Sequence, residues 1–142
     1  RREGRHAFLC QPETFMNSSG EAVRLVCDYY QVPLERLLVV VDDADLPLGE
    51  LRLRPGGGTG GHHGLESVTH HLGTAQFPRL RLGIGRQAPD TRQITNYVLS
   101  DFAPDEAERL EKVLTRAGEQ IECWLFQGIG QAMNRFNGLA PG

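Results

Sequence analysis

Two adjacent histidines end a glycine-rich stretch, RPGGGTGGHHGLES, at residues 54–67. Glycines let a ligand approach the backbone closely and expose N–H groups that suit a phosphate or a carbonyl oxygen. His62 and His63 directly precede a predicted helix, whose N-terminus would point at whatever binds there. Because neighbouring residues of an extended segment face opposite ways, we expect one histidine to point inward and the other outward. A flexible hairpin without a ligand is the alternative for this stretch.

A carboxylate and an amide each follow a predicted strand. Asp42 comes directly after the apolar run LLVVV, at the strand end where α/β folds place their ligand crevice. Asn17 lies in TFMNSSG, between a predicted strand and a predicted helix, and its amide could hold a carbonyl oxygen or orient a water. Each has a structural alternative, since Asp42 could cap its own loop and Asn17 could cap the helix.

Length, charge and cysteine content limit the class of protein. A chain of 142 residues with 39% apolar residues is typical of one domain with one core. Its net charge is −3 and no segment is polybasic, so any anion site must be local. Three cysteines without metal-type spacing predict buried thiols in a reducing compartment. Because no apolar run reaches the roughly 20 residues needed to cross a bilayer and no signal peptide is visible, we expect a cytoplasmic protein without membrane contact.

Metal and cofactor sites are not predicted. His70 and His71 lie on a predicted helix and have no partner at metal-ligand spacing. The glycine stretch is not followed by the Gly-Lys-Ser/Thr of a P-loop, and it lacks the distant acid of a dinucleotide fingerprint. A nucleotide-binding α/β protein stays as a weaker alternative, which stabilisation by ATP or NAD would support.

The elements that must position these residues alternate between strands and helices. Residues 6–10 predict a strand, NSSGEAVRLVCDYYQV predicts a helix capped by Ser18 or Ser19, and LLVVV predicts a central strand buried on both faces. LESVTHHLGT predicts a short helix that ends at Gly73. This alternation is typical of an α/β fold.

Two further predicted strands alternate leucine with arginine. In GELRLRP, Leu51 and Leu53 face one way, while Arg52 and Arg54 face the other. In PRLRLGIG, Arg79 and Arg81 share one face. A long helix follows from Pro104, and we expect it to cover the sheet. Its predicted apolar stripe consists of Leu110, Leu114, Ala117, Ile121, Trp124 and Leu125.

Taken together, the motifs resemble those of bacterial-type peptidyl-tRNA hydrolases. QPETFMNSSGEAV, VVVDDADLPLGELRLRPGGGTGGHHGLESV, HHLGTAQFPRLRLGIGR, NYVLSDF and AMNRFN occur in the family's order and spacing from about residue 7 to residue 137. The resemblance implies a single α/β domain over residues 1–142, with a twisted mixed sheet flanked by helices. It also implies a monomer that hydrolyses the ester joining a peptide's C-terminus to the 3′ ribose of tRNA, without a metal or cofactor.

The resemblance also implies roles for single residues. Asp42 matches the aspartate that orients the catalytic histidine, and Asn17 matches the asparagine that positions substrate and water. Met16, Gly61 and His62 match residues of the peptide side of the site. The matches to the basic residues that grip the tRNA phosphates are Arg52, Arg54 and Arg81.

This sequence departs from the family pattern in two places. The family's GGHNG stands here as GGHHG, so His63 replaces an asparagine that contacts the substrate's peptide part. His63 either takes over that contact or points to solvent. Family members also begin with GLGNPG and then RHN, whose histidine is the general base, and neither motif occurs in this sequence. We therefore expect a chain that lacks the family's N-terminal segment and is inactive alone; the alternative is a non-catalytic RNA-binding relative of the same fold.

Overall fold

Strands and helices follow one another in a computed structural model of the chain, which describes residues 19–43, 45–60, 62–85 and 104–139. The strands are β1 (Val39–Asp43), β2 (Glu50–Arg54), β3 (Arg79–Gly83) and β4 (Gly138–Leu139). The helices are α1 (Ser19–Tyr30), α2 (His63–Leu72), α3 (Pro104–Gln127) and α4 (Ile129–Phe136), with one 3-10 turn at Leu34–Arg36.

The described strands form one mixed sheet in the order β1-β3-β2-β4. β1 runs parallel to β3, whereas β2 is antiparallel to β3 and to β4. The predicted α/β class, with a mixed sheet flanked by helices, is therefore confirmed. The strand predicted at residues 6–10 lies outside the described residues.

β1 differs from its prediction as a central strand buried on both faces. Within the described ranges it pairs with β3 alone and forms an edge of the sheet. Val41 is buried, but the neighbouring Val40 is 44% exposed. The apolar run predicted burial correctly at Val41 but not at Val40, because apolar character does not reveal where packed elements cover the faces of a strand.

The leucine and arginine faces of β2 and β3 are confirmed. Leu51, Leu53, Leu80 and Leu82 are all buried on one face, where α3 and α4 cover them with Val113, Ala117 and Ala132. Because side chains alternate along a strand, the arginines of both strands point to the opposite face.

Helices α1 and α2 pack on the arginine side, over the half of the sheet that holds β1. Val41 of β1 joins Leu65 and Val68 of α2 in a second core cluster, and Val23 of α1 packs against it. α2 ends at Gly73 in the left-handed conformation, as predicted. The two helices leave the arginine half of this face uncovered, as the cleft there shows.

α3 covers the sheet as predicted, and most of its predicted stripe faces the core. Leu110 and Ala117 are buried and Ile121 and Trp124 pack against the core, whereas Leu114 is 44% exposed. From residue 108 onward, the buried residues of α3 are Leu110, Val113, Ala117, Gln120 and Cys123. Gln120 takes a core position because its side-chain nitrogen donates to the Ala132 carbonyl oxygen of α4 at 3.1 Å.

Two of the three cysteines fall in described segments. Cys27 and Cys123 are both buried thiols, as predicted; Cys10 lies outside the described residues. Among the helices that the structure describes, none combines the length and apolar character needed to cross a bilayer.

Candidate functional site

Four arginines line a cleft on the open half of the sheet. The strand register sets Arg52 of β2 opposite Arg81 of β3, and Arg54 opposite Arg79. Glycines 56–58 of the loop that follows β2 complete the lining, and the cleft has a volume of about 260 Å³. Like charges directly opposite one another across two strands are destabilising. An anion bound in the cleft would relieve this repulsion.

Arg79 forms the floor of this arginine cleft and is only 2% exposed. Its guanidinium lies 4.3 Å from the centre of the Phe77 ring and donates to the carbonyl oxygens of Phe77, Gly58 and Ala75 at 2.6–3.2 Å. Burial, and then the neighbouring Arg81 guanidinium, lower the pKa of Arg79 from its usual value. An arginine stays charged at neutral pH despite such a shift, so the floor carries a buried positive charge.

Carboxylates balance only part of the cleft's charge. Arg52 lies 2.6 Å from a Glu50 oxygen and Arg81 lies 3.5 Å from an Asp43 oxygen. Within the described ranges, Arg54 and Arg79 donate to backbone carbonyl oxygens. The cleft therefore keeps a positive excess.

The glycine loop is fixed to the arginines by the Gly58 carbonyl group. The Gly58 oxygen accepts from Arg79 Nη1 at 3.0 Å and from Arg81 Nη2 at 3.1 Å. At Gly60, which has a φ of +60°, a Cβ atom would lie 2.9 Å from Arg81 Nη1. The left-handed backbone favours glycine there, and a Cβ atom would have to displace the end of the Arg81 side chain. This close approach is made by the protein's own arginine; the close approach of a ligand stays a prediction.

His62 points inward and links the start of α2 to the end of β1. Its Nδ1 accepts from the Leu65 backbone N–H at 3.2 Å, which caps the helix. Its Nε2 lies 3.0 Å from the Asp42 carbonyl oxygen. Since Nδ1 accepts, Nε2 carries the proton and donates to Asp42, so the imidazole is neutral in this arrangement.

His63 points outward, which confirms the prediction of one inward and one outward histidine. It is the first residue of α2, its side chain is 62% exposed, and its Nδ1 lies 3.4 Å from a Glu66 oxygen. Any contact of His63 with a ligand would therefore be made from the surface of the protein.

The remaining predicted site residues are divided between described and undescribed segments. Asp42 is the fourth residue of β1, not the first residue beyond it, and is 6% exposed. In the parallel register it pairs with Leu82, so its side chain is on the leucine face, opposite the arginine cleft. Asn17, Met16 and Gly61 lie outside the described residues.

The sequence predicts no site role for Arg79, Asp43 or Glu50. The alternation of leucine and arginine along β3 placed Arg79 on the same face as Arg81, and this pattern could have indicated that Arg79 belongs to the site. The pairing of Asp43 with Arg81 and of Glu50 with Arg52 depends on side-chain conformations that sequence spacing does not specify. Within the described ranges, no group of three or more metal-binding side chains comes together.

Comparison with known proteins places the chain in one family. The family model for peptidyl-tRNA hydrolase matches residues 1–141. A Synechococcus sp. (strain JA-2-3B'a(2-13)) peptidyl-tRNA hydrolase is 52% identical over 92% of this chain and 58% of its own length. A Gloeobacter violaceus peptidyl-tRNA hydrolase is 48% identical over 98% of this chain and 70% of its own length.

Solved structures agree with this match. The crystal structure of a peptidyl-tRNA hydrolase from Acinetobacter baumannii superposes with a TM-score of 0.76 at 33% identity, covering 92% of this chain and 66% of that one. The chain thus spans less than two thirds of that structure and of the Synechococcus relative. By sequence and by fold, the chain belongs to the peptidyl-tRNA hydrolase family.

Proposed function

We propose that this chain takes part in hydrolysing peptidyl-tRNA and that the arginine cleft binds phosphates of the tRNA. In this reaction a water oxygen attacks the ester carbonyl carbon, and the bond from that carbon to the ribose 3′ oxygen breaks. The ribose oxygen takes up one proton of the water and the other is released to solvent, so the products are a peptide carboxylate and a free tRNA. Family membership supports the reaction, and the arginine cleft supports the tRNA contact.

The cleft carries the proposal because its chemistry suits phosphate oxygens. Guanidinium groups bind phosphates through paired N–H donors and remain charged at all working pH values. Arg54 is the most accessible of the four and has no carboxylate partner among the described residues. Arg52, Arg54 and Arg81 would contact the phosphates, and the buried Arg79 would support them from below.

The other proposed roles concern the ester end of the substrate. Asp42 would orient a histidine base and Asn17 would position the substrate and the water. The peptide part would be contacted by Met16, Gly61, His62 and His63. We further propose that residues 1–142 form one domain of a cytoplasmic monomer, which needs neither a metal nor a cofactor.

Binding of labelled tRNA to the 142-residue chain tests the phosphate role. We expect Arg54→Ala to weaken binding and to lower the slope of log affinity against log salt by roughly 0.7 to 0.9 per lost phosphate contact. Arg36→Ala removes an exposed arginine from the 3-10 turn and serves as the control. Equal losses in both variants, or no tRNA binding by the parent chain, would contradict the proposal.

Hydrolysis is tested separately with peptidyl-tRNA. We expect little activity from the 142 residues alone and restored activity when they are joined to a family N-terminal segment that carries the RHN motif. If the joined protein binds tRNA but releases no peptide, the RNA-binding alternative is favoured instead.

A further inference from the structure

The outer edge of β2 is closed by a side chain at the point where the strand carries its cleft arginines. The Asn137 amide pairs with both backbone groups of Leu53: the Leu53 N–H donates to Asn137 Oδ1 at 2.8 Å, and Asn137 Nδ2 donates to the Leu53 carbonyl oxygen at 3.1 Å. One amide side chain thus takes the place of a neighbouring strand. Immediately afterwards, β4 continues the pairing against Glu50 and Leu51.

A second amide fixes which way the Asn137 amide is turned. Gln120 is 0% exposed, and its Nε2 donates to Asn137 Oδ1 at 3.0 Å and to the Ala132 carbonyl oxygen at 3.1 Å. Because Oδ1 accepts from both Gln120 and Leu53, the amide nitrogen must face the Leu53 carbonyl oxygen. A buried polar pair of this kind fixes one geometry in the core between α3, α4 and β2.

Leu53 is the residue between Arg52 and Arg54. Its side chain points into the leucine core, and its two arginine neighbours point into the cleft. A shift or rotation of the Leu53 peptide would therefore move both guanidinium groups. β3 holds the inner edge of β2 on either side of Leu53, where Arg52 and Arg54 pair with Arg81 and Arg79, so Asn137 completes a two-sided restraint.

From this arrangement we infer that Asn137, oriented by Gln120, is a positioning residue for the phosphate-binding arginines of β2. It touches no ligand itself. It sets where Arg52 and Arg54 stand relative to Arg79 and Arg81, the cross-strand partners of β3. This inference rests on the proposed tRNA contact of the arginine cleft.

The test compares Asn137→Ala with Asn134→Ala, which removes an exposed asparagine from α4. We expect Asn137→Ala to weaken tRNA binding by about tenfold and to flatten its salt dependence, while Asn134→Ala stays within about twofold of the parent chain. Combining Asn137→Ala with Arg54→Ala should cost less than the product of the two single effects, because both act on the same contact. A purely structural role would instead reduce the fraction of folded protein and leave the salt slope of that fraction unchanged.

Gln120→Met provides a second variant if Asn137→Ala does not fold. A methionine of similar length removes the buried Oε1, which has no hydrogen-bond partner among the described residues, and also the Nε2 donor to Asn137 Oδ1, which still accepts from the Leu53 N–H. We expect a smaller loss of tRNA affinity in the same direction. If binding and salt slope match the parent chain in these variants while Arg54→Ala still loses affinity, the positioning role is wrong and the phosphate role stands. If Arg54→Ala also binds normally, the proposed function fails with it.

Discussion

At the scale of single residues, the neighbouring histidines His62 and His63 make different contacts. His62 is bonded at both ring nitrogens by backbone groups, one in α2 and one in β1. That arrangement suits an element-linking role. His63 faces outward on the first turn of the same helix. The pair shows how one glycine-rich stretch can supply both a structural contact and an exposed polar group.

Replacement of His62 measures how much its contacts with α2 and β1 contribute to the free energy of unfolding. His62→Ala removes a helix cap and a contact with β1, and we expect it to lower the free energy of unfolding by roughly 1–3 kcal/mol. His62→Asn should recover about half of this loss, because an asparagine oxygen can also accept from the Leu65 N–H. Urea denaturation gives both values, with the exposed His63→Ala expected within about 0.5 kcal/mol of the parent chain. Equal stability of His62→Ala and His63→Ala would show that the link contributes nothing.

At the scale of elements, the sequence predicted what local patterns determine. The leucine–arginine alternation of β2 and β3 and the Gly73 end of α2 are local, and the structure confirms them. The predicted stripe of α3 was wrong at Leu114, which is exposed, and it missed the buried Val113 and Gln120. A polar Gln120 is expected at the surface unless its partners on α4 are known.

Contacts distant in sequence were not predictable. The register that sets Arg54 opposite Arg79, and the Asn137 contact with Leu53, join residues far apart in the chain. No local pattern encodes a strand register when both strands alternate in the same way. The components of the arginine cleft were therefore visible in the sequence, but its floor, its carboxylate partners and the Asn137 restraint were not.

The close packing of α1 on α2 gives a prediction at this scale. The Gly20 N–H donates to Ser67 Oγ at 3.0 Å, and a Cβ atom at Gly20 would lie only 2.1 Å from the Ser67 carbonyl oxygen. Gly20→Ala must push the helices apart, and we expect it to destabilise the protein by roughly 2–4 kcal/mol. Gly118→Ala is the matched control, because that glycine of α3 is exposed and has open space at its Cβ position. It should stabilise the protein by about 0.5–1 kcal/mol through helix propensity. Thermal unfolding that places both variants on the same side of the parent chain would contradict this account of the helix contact.

At the scale of the whole molecule, positive and negative side chains are concentrated on different surfaces. The chain carries a formal net charge of −3, yet four arginines meet on one half of one sheet face. On the far face, α3 carries exposed acids such as Glu108 and Glu111 beside Lys112. A polyanion approaching the molecule is therefore attracted locally and repelled overall, and the balance depends on the surface that it meets.

Two charge reversals that change the net charge equally separate these effects. Arg54→Glu and Lys112→Glu each replace a cation with an anion, the first in the arginine cleft and the second on α3 behind the sheet. Salt screens exposed charges over about 8 Å at physiological ionic strength, so the local field should dominate tRNA binding. We expect Arg54→Glu to weaken binding by roughly ten- to a hundredfold and Lys112→Glu by less than about twofold. The affinities are measured by fluorescence anisotropy with labelled tRNA over a series of salt concentrations, after circular dichroism has shown both variants to be folded. Equal weakening would mean that net charge controls association and that the cleft has no special part in it.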